Sequence, residues 1–499
     1  MNKRLLALAI STVVAAPAAY ATNGMNLEGY GPVATGMGGA SMAYDNGTAA
    51  MMNNPATLGM MGDGSRLDLA AGWLRPDVRV EAGPASWNSG GDSYIMPAVG
   101  WVKKQDRLAY GFGVFAQGGM GTEYGSGGPG GGAAAYNVAN NITPAVAFGA
   151  PASPVTDIAG TTAWLAGQEE RSEVGVARVM VPLSFNVNDK LNLGGSIDYV
   201  RATMDFKWLM PGSDMVSLMQ SGNINGSMIT SGLMPAFMAG GIRDIYGGYF
   251  DSSDSNDYNG NMVGSGFGGK LGFTYQLTPK LSIGGTYHSK THLDDLEGDA
   301  KIAMAMTIDT GYFSTGTVNG VLTDVQQTLT GKMKILDFQW PETYGIGFAY
   351  QEPGQWMIAA DIKRIRWSGV MNTFDMTFTA DNSAANGGFA GTTMDASLDM
   401  NWKDQNVIEI GGAYNVSEQL VLRAGYNRAN NTVPDSTLHY LFPAIEETHY
   451  TAGLGYAFND VSSVDLSAAY APEVSQTNPA GFTVKHSQLN WQFMYSHRF

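Results

Sequence analysis

Hydrophobic and polar residues alternate with period two over long stretches of this chain. At its C-terminal end Leu489, Trp491, Phe493, Tyr495 and Phe499 share one parity with His497. His486, Gln488, Asn490, Gln492, Ser496 and Arg498 share the other with Met494. Such a stretch is a strand with one oily and one polar face. The split recurs in Leu191, Leu193, Ile197 and Tyr199 against Asn192, Gly194, Ser196 and Asp198. It recurs again in Leu271, Phe273, Tyr275 and Leu277 against Lys270, Gly272, Thr274 and Gln276, and in Tyr344, Ile346, Phe348 and Tyr350 against Thr343, Gly345, Gly347 and Ala349. A soluble sandwich alternates too. An apolar face so rich in Tyr, Phe and Trp near strand ends is instead the mark of aromatic girdles at a membrane interface.

The pattern predicts an all-β fold, a transmembrane antiparallel β-barrel of about 14 strands. They lie near 66–76, 94–103, 107–117, 172–187, 190–206, 264–277, 280–293, 334–350, 354–369, 403–416, 419–429, 447–458, 461–472 and 484–499. Every second connection is tight: Lys104-Gln105-Asp106, Asn188-Asp189, Thr278-Pro279, Gln351-Glu352-Pro353, Ser417-Glu418 and Asn459-Asp460. The intervening connections are long, as expected of outer-membrane barrels with short periplasmic turns and long outer loops. Both ends of the chain then face the periplasm. Phe499 is the residue expected to meet the outer-membrane assembly machinery.

Composition narrows the reading. Charged residues make up 14% of the 499 positions against 44% hydrophobic, too apolar for disorder and poor in the charges that wet a large soluble surface. The formal charge of −16 with no Lys/Arg-rich block gives nucleic-acid phosphates nothing to bind. Cys is absent, which excludes thiolate catalysis, Cys-ligated zinc and disulfides. Lys3 and Arg4, the apolar run Leu5 to Ala16, and Ala19-Tyr20-Ala21 predict a signal peptide over 1–21 and an exported protein of the Gram-negative outer membrane. No later run is apolar and long enough for a membrane helix.

A closed barrel of this size leaves a lumen wider than side chains alone fill. Residues 22–65, with glycines such as Gly24, Gly36, Gly38 and Gly39 and seven Met between Met25 and Met61, are expected to plug it, leaving 66–499 as barrel. A disordered periplasmic tail is the alternative, disfavoured by Leu27, Val33 and Leu58.

Gly36-Met37-Gly38-Gly39-Ala40 followed by Asn54-Pro55-Ala56 resembles the N-terminal hatch of the FadL-type outer-membrane transporters of long-chain fatty acids and other hydrophobic compounds. Trp340-Pro341-Glu342, Tyr344 to Phe348, Trp356, Trp367-Ser368, Arg423 to Gly425, Pro434, Pro443, Tyr456-Ala457-Phe458 and Val464-Asp465 extend the resemblance over the C-terminal third. Segments 118–171 and 207–263 match only in loop placement. The resemblance implies capture of ligand by outer loops, a shift of the hatch, and sideways release through the wall beside a kinked third strand. Gly111 and Gly113 in the third strand are the candidates for that lateral opening, with Asn54, Pro55 and Ala56 as the hatch element facing it. Glycine that merely makes room for the plug is the other reading.

The candidates for capture are Met210, Met215, Leu218, Met219, Leu233, Met234, Phe237 and Met238, expected to form an exposed apolar groove in which Met adapts to varied ligands. The alternative is that they pack only on one another. By strand parity Asp198, Lys270, Asp361, Lys363, Glu409, Arg423 and Asp465 point inward. Lys270, Lys363 and Arg423 are candidates for holding a carboxylate head group, and ion pairing that fixes the plug is the commoner fate of such groups. Arg364 and Arg366 are candidate contacts for lipopolysaccharide phosphates.

Gly264 to Gly269 contains GxGxxG but opens an alternating strand with no helix behind it, so no nucleotide site is read. Asp251, Asp254 and Asp257 lack the closing Glu of a calcium loop, Met262 standing there. The scattered His residues show no HExxH and no Ser partner, so no catalytic residue, metal or cofactor is expected. The reading is passive uptake of hydrophobic molecules, long-chain fatty acids first and aromatic hydrocarbons second. An open polar porin, or an adhesin or phage receptor built on the long loops, is the alternative of another class.

Overall fold

The computed structural model describes residues 23–139, 161–256 and 260–499, and a single sheet holds 23 strands. In chain order they are β1 (Gly64–Leu74), β2 (Pro76–Ala82), β3 (Ala85–Asn88), β4 (Tyr94–Gln105), β5 (Leu108–Tyr124), β6 (Glu170–Asn186), β7 (Leu191–Pro211) and β8 (Ile224–Asn225). Next come β9 (Ile242–Asp251), β10 (Met262–Thr278), β11 (Leu281–His288), β12 (His292–Leu293), β13 (Leu296–Asp309), β14 (Leu322–Leu336), β15 (Thr343–Glu352) and β16 (Trp356–Ile365). The rest are β17 (Thr373–Ala380), β18 (Thr393–Asp399), β19 (Gln405–Asn415), β20 (Leu420–Ala429), β21 (Thr448–Ala457), β22 (Ser462–Thr477) and β23 (Phe482–Arg498).

A subset of these strands closes into a ring. β1 pairs with β4, then β4 with β5, β5 with β6, β6 with β7 and β7 with β10. The path continues through β11, β15, β16 and β19. From there β20, β21, β22 and β23 follow, and β23 returns to β1. Every step is antiparallel, and the six tight turns fall at the connections read from sequence. A closed ladder satisfies backbone polar groups within the wall, as crossing hydrocarbon requires.

The outward parity carries Leu69, Trp73, Leu183, Ile197, Leu271, Ile346, Ile362, Ile410, Tyr450 and Trp491, all exposed large apolar side chains. Such a continuous apolar surface belongs against lipid, not water. Among the described residues no helix is long and apolar enough to cross a membrane.

The remaining strands continue the wall beyond the membrane. β7 is 21 residues long, about twice what a tilted spanning strand needs. Its far end pairs with β9, and β9 pairs with β13, β13 with β14, β14 with β17, β17 with β18 and β18 with β8. This panel corrects three expected strands. The stretch 334–350 is two strands, because Asp337 turns at φ 48 and Pro341 has no N–H for a ladder. The stretch 280–293 ends as β11 at His288, and 354–369 ends at Ile365 before a short turn at Trp367–Gly369.

The N-terminal residues 23–63 form no barrel strand. They hold a short helix at Pro32–Gly36 and 3-10 turns at Gly47–Met51 and Pro55–Met60, and nearly all are buried. Asn54 caps the last turn, accepting from the Ala56 N–H, and Pro55 suits its first position. The signal-peptide reading over 1–21 lies outside the described residues.

Candidate functional site

The N-terminal segment rests in seats cut into the wall by glycine. On β19 and β20 the inward positions Gly411 and Gly425 are paired, and Gly453 on β21 lies one inward step along, paired with Arg423. A Cβ on Gly411 would stand 2.3 Å from the Met37 oxygen, and one on Gly425 would stand 2.1 Å from the Gly38 nitrogen. Gly38 itself has φ +70 and abuts the Tyr426 backbone, so neither partner of this contact tolerates a side chain. The second seat is Gly194 on β7, Gly272 on β10 and Gly284 on β11. It receives Met42 and the Asn54-Pro55-Ala56 element. The Asn54 amide donates to the Met42 oxygen at 2.8 Å and to the Phe273 oxygen at 3.1 Å. The Gly36–Ala40 and Asn54–Ala56 motifs thus each meet a glycine seat in the wall.

Inward charges hold the segment down. Asp361 on β16 accepts the Ser41 N–H at 2.6 Å and the Met42 N–H at 3.0 Å. Lys363 pairs with Glu409 at 2.9 Å, Arg423 with Asp465 at 2.8 Å, and Lys270 with Asp198 at 2.5 Å, where Arg178 joins at 2.8 Å. All three carboxylate-binding candidates, Lys270, Lys363 and Arg423, therefore already face an acid. An incoming carboxylate would have to displace it, and a buried acid left without its cation is costly.

The third strand of the ring, β5, is irregular. Its register with β6 passes from Tyr110–Leu183 to Gly113–Met180 and slips by one between Ala116 and Gly118. Pro182, in the facing stretch, has no N–H to donate. The slip is a bulge at Gln117, and the start of the N-terminal segment covers it. Gly119 donates to the Met25 oxygen at 3.1 Å, Asn26 bridges to Gly118, and the Tyr30 hydroxyl donates to the Gln117 oxygen at 2.8 Å. Gly113 faces Met51, while a Cβ on Gly111 would press on the Trp101 oxygen. One expectation is corrected here. Asn54, Pro55 and Ala56 lie against β6, β7 and β10: Gly194 and Gly272 admit them, and the Ser184 hydroxyl donates to the Ala56 oxygen. Met25, Asn26 and Tyr30 face the β5 bulge instead, and no motif marked them.

The capture residues are also placed differently from expectation. Met210, Met215, Met219, Leu233 and Phe237 are buried, Leu218 and Met234 are half-buried, and only Met238 stands open at 71% exposure. All but Met238 belong to one apolar cluster with Phe206, Trp208, Phe250, Phe374 and Phe442 rather than to an open groove. The helix Gly212–Ser221 and the panel strands turn their apolar faces toward one another, which is the self-packed alternative. Phe442 lies 5.5 Å from Phe374 and 6.4 Å from Phe206, ring centre to ring centre. Sequence reasoning missed Phe374, Phe378 and Phe442, although Phe374, Met376 and Phe378 alternate legibly. Two titratable groups of the loop segment are held neutral near pH 7. Burial pushes the His439 imidazole down to about 4, and burial with Glu447 nearby pushes the Glu446 carboxyl up to about 9.

A closed antiparallel barrel with a lipid-compatible exterior and an internally seated N-terminal segment is an outer-membrane-type β-barrel. Residues 156–491 match the family model described as outer membrane protein transport protein (OMPP1/FadL/TodX), and the chain belongs to that family. The toluene transporter TodX of Pseudomonas putida superposes with a TM-score of 0.73 at 27% identity, covering 95% of this chain and 99% of that one. The toluene transporter TbuX of Ralstonia pickettii gives 0.69 at 29% identity, covering 95% and 99%. Among curated sequences, the long-chain fatty acid transport protein of Escherichia coli O6:H1 is 24% identical over 205 residues, 41% of this chain and 42% of that protein. The chain thus spans about two fifths of the length of the curated relatives it matches.

Proposed function

We propose that this chain is a passive uptake channel for small neutral aromatic hydrocarbons, with long-chain fatty acids second, the reverse of the order expected from sequence. The observation that carries the reading is that Lys270, Lys363 and Arg423 are each committed to a buried acid, so no free cation among them waits for a carboxylate. The full-length likeness to two toluene transporters supports it. In this reading fourteen strands cross the membrane, supported by the cyclic pairing path, and residues 22–65 are the hatch. Ligand leaves the extracellular apolar cluster, passes when the hatch yields, and exits sideways at the β5 bulge near Gly111 and Gly113. Arg364 and Arg366, paired with Asp404 beside the lipid-facing wall, are the places where lipopolysaccharide phosphates would compete. Phe499 would guide assembly.

The test is uptake of radiolabelled toluene and oleate by a Gram-negative strain lacking its own transporters of this family. Toluene uptake above the empty-vector level, exceeding any gain for oleate, is expected. Toluene uptake no faster than in the vector control overturns the reading.

A further inference from the structure

The inner face of β23 carries a run of polar side chains that the proposed passage of hydrocarbons does not use. His486, Gln488, Asn490 and Gln492 share the inward parity, and each is at least nine-tenths buried. Gln492 donates to Thr35 at 2.8 Å and so reaches the N-terminal segment. Above it partners run short. The Gln488 amide has neither oxygen nor nitrogen satisfied, and the Asn490 nitrogen, His486 Nε2 and the neighbouring His449 Nε2 have no partner. Both Glu446 oxygens, on the loop that packs over this row, lack a hydrogen bond as well, one of them standing 3.9 Å from His486 Nδ1.

An unpaired polar atom in an apolar surround costs on the order of 1–3 kcal/mol, so a concentration of them on one strip calls for a hydrogen-bonding occupant. The strip has room beside it, because Asn490 and Gln488 are registered against Ala469 and Ala471 on β22. Its lower end opens on a cavity of about 40 Å³ between the wall and the N-terminal segment, lined by Gln492, Leu74, Met96, Phe115, Leu27 and Tyr30. An apolar cavity that holds benzene is nearer ~150 Å³, so a ring enters only as Leu27 and Tyr30 give way.

We propose that the strip formed by His486, Gln488 and Asn490 is a binding site for the hydroxyl of a neutral aromatic alcohol, of the phenol class, whose ring lies on the opposing apolar wall. The deduction rests on the uptake reading above and sharpens its ligand class. Amide and imidazole groups both donate and accept, which suits a hydroxyl that does the same. They suit a carboxylate poorly, since an acid already lies over the strip: Glu446 stands 3.9 Å from His486.

The experiment is equilibrium dialysis of the detergent-purified full chain against radiolabelled p-cresol, toluene and p-toluate. The same is done with the nearly isosteric pair Gln488→Met and Asn490→Leu, and with Gln488→Met alone. Heat-modifiable migration checks that each barrel is folded. The native chain is expected to hold p-cresol roughly tenfold more tightly than toluene, with p-toluate weakest, and the variants to lose the preference for p-cresol while keeping toluene binding. Equal binding of p-cresol and toluene by the native chain overturns the proposal and leaves the hydrocarbon reading standing. So does an undiminished preference in the folded variants. Failure to bind either neutral aromatic overturns both.

Discussion

The wall at β19, β20 and β21 and the wall at β5 and β6 are built from the same alternating strands, yet they treat the N-terminal segment in opposite ways. At the first, ladders run without a slip, three glycines admit the Gly36–Gly39 backbone, and Asp361 with the Lys363–Glu409 pair fastens what lies there. At the second, the ladder slips at Gln117, where one backbone hydrogen bond, one bridge and a tyrosine hydroxyl meet it, while further along Ser184 and Asn186 donate to Ala56 and Gly59 and Met51, Leu58 and Met61 pack on Ala109, Phe115 and Met180. The lesson is that the glycine seat anchors the segment through its backbone, while at the bulge itself only the first residues of the segment lean on the wall. A displacement that frees residues 25–30 from the bulge breaks fewer hydrogen bonds than one that frees residues 36–42 from the glycine seat.

The comparison can be broken at several points. The largest effect is expected from Gly425→Leu, whose side chain would collide with the Gly38 backbone. Overpacking of this kind costs about 1–3 kcal/mol or more, and hydrogen exchange of amides 34–42 should rise sharply. Asp361→Ala removes the acceptor of two backbone N–H groups. About 2 kcal/mol of seating should be lost, read as faster exchange at Ser41 and Met42 with the barrel band intact. Gly113→Leu acts on the other side. Its neighbours are the Met51 sulfur and the Phe115 ring, which can move, so folding should survive while toluene uptake falls several-fold; unchanged uptake would remove the exit from this location.

The smallest change concerns neither wall. Glu446 keeps its proton to about pH 9 when folded, whereas the unfolded chain releases it near 4.5. Its contribution to stability is therefore fully present below about 4.5, declines as pH rises, and is gone above about 9. Glu446→Gln should abolish the decline in exchange protection of 434–447 between pH 5 and 9. An identical decline in the variant would place its cause elsewhere.

Strand positions on the wall were legible because a membrane imposes period two on both faces and turns such as Asn459-Asp460 punctuate it. The panel was not, since β13 and β14 contain no Tyr, Phe or Trp and so show no aromatic girdle to announce them. Inward charges were legible by parity, and so was their partnering. The hatch motifs were legible, but their direction was not. Asn54 meets β10 and Pro55-Ala56 meet β7 because Gly194 and Gly272 come together there, and they are far apart in sequence. The role of Met25, Asn26 and Tyr30 was hidden for the same reason, as the bulge they cover arises from a one-residue slip that no local pattern encodes.

The account stands on residues 23–63 closing the lumen from within. The direct measurement is single-channel recording in planar bilayers of the full chain beside one lacking residues 24–62. The intact protein should be nearly silent to ions, and the shortened one should show stable open pores. Equal conductance from both proteins, whether high or absent, would contradict it.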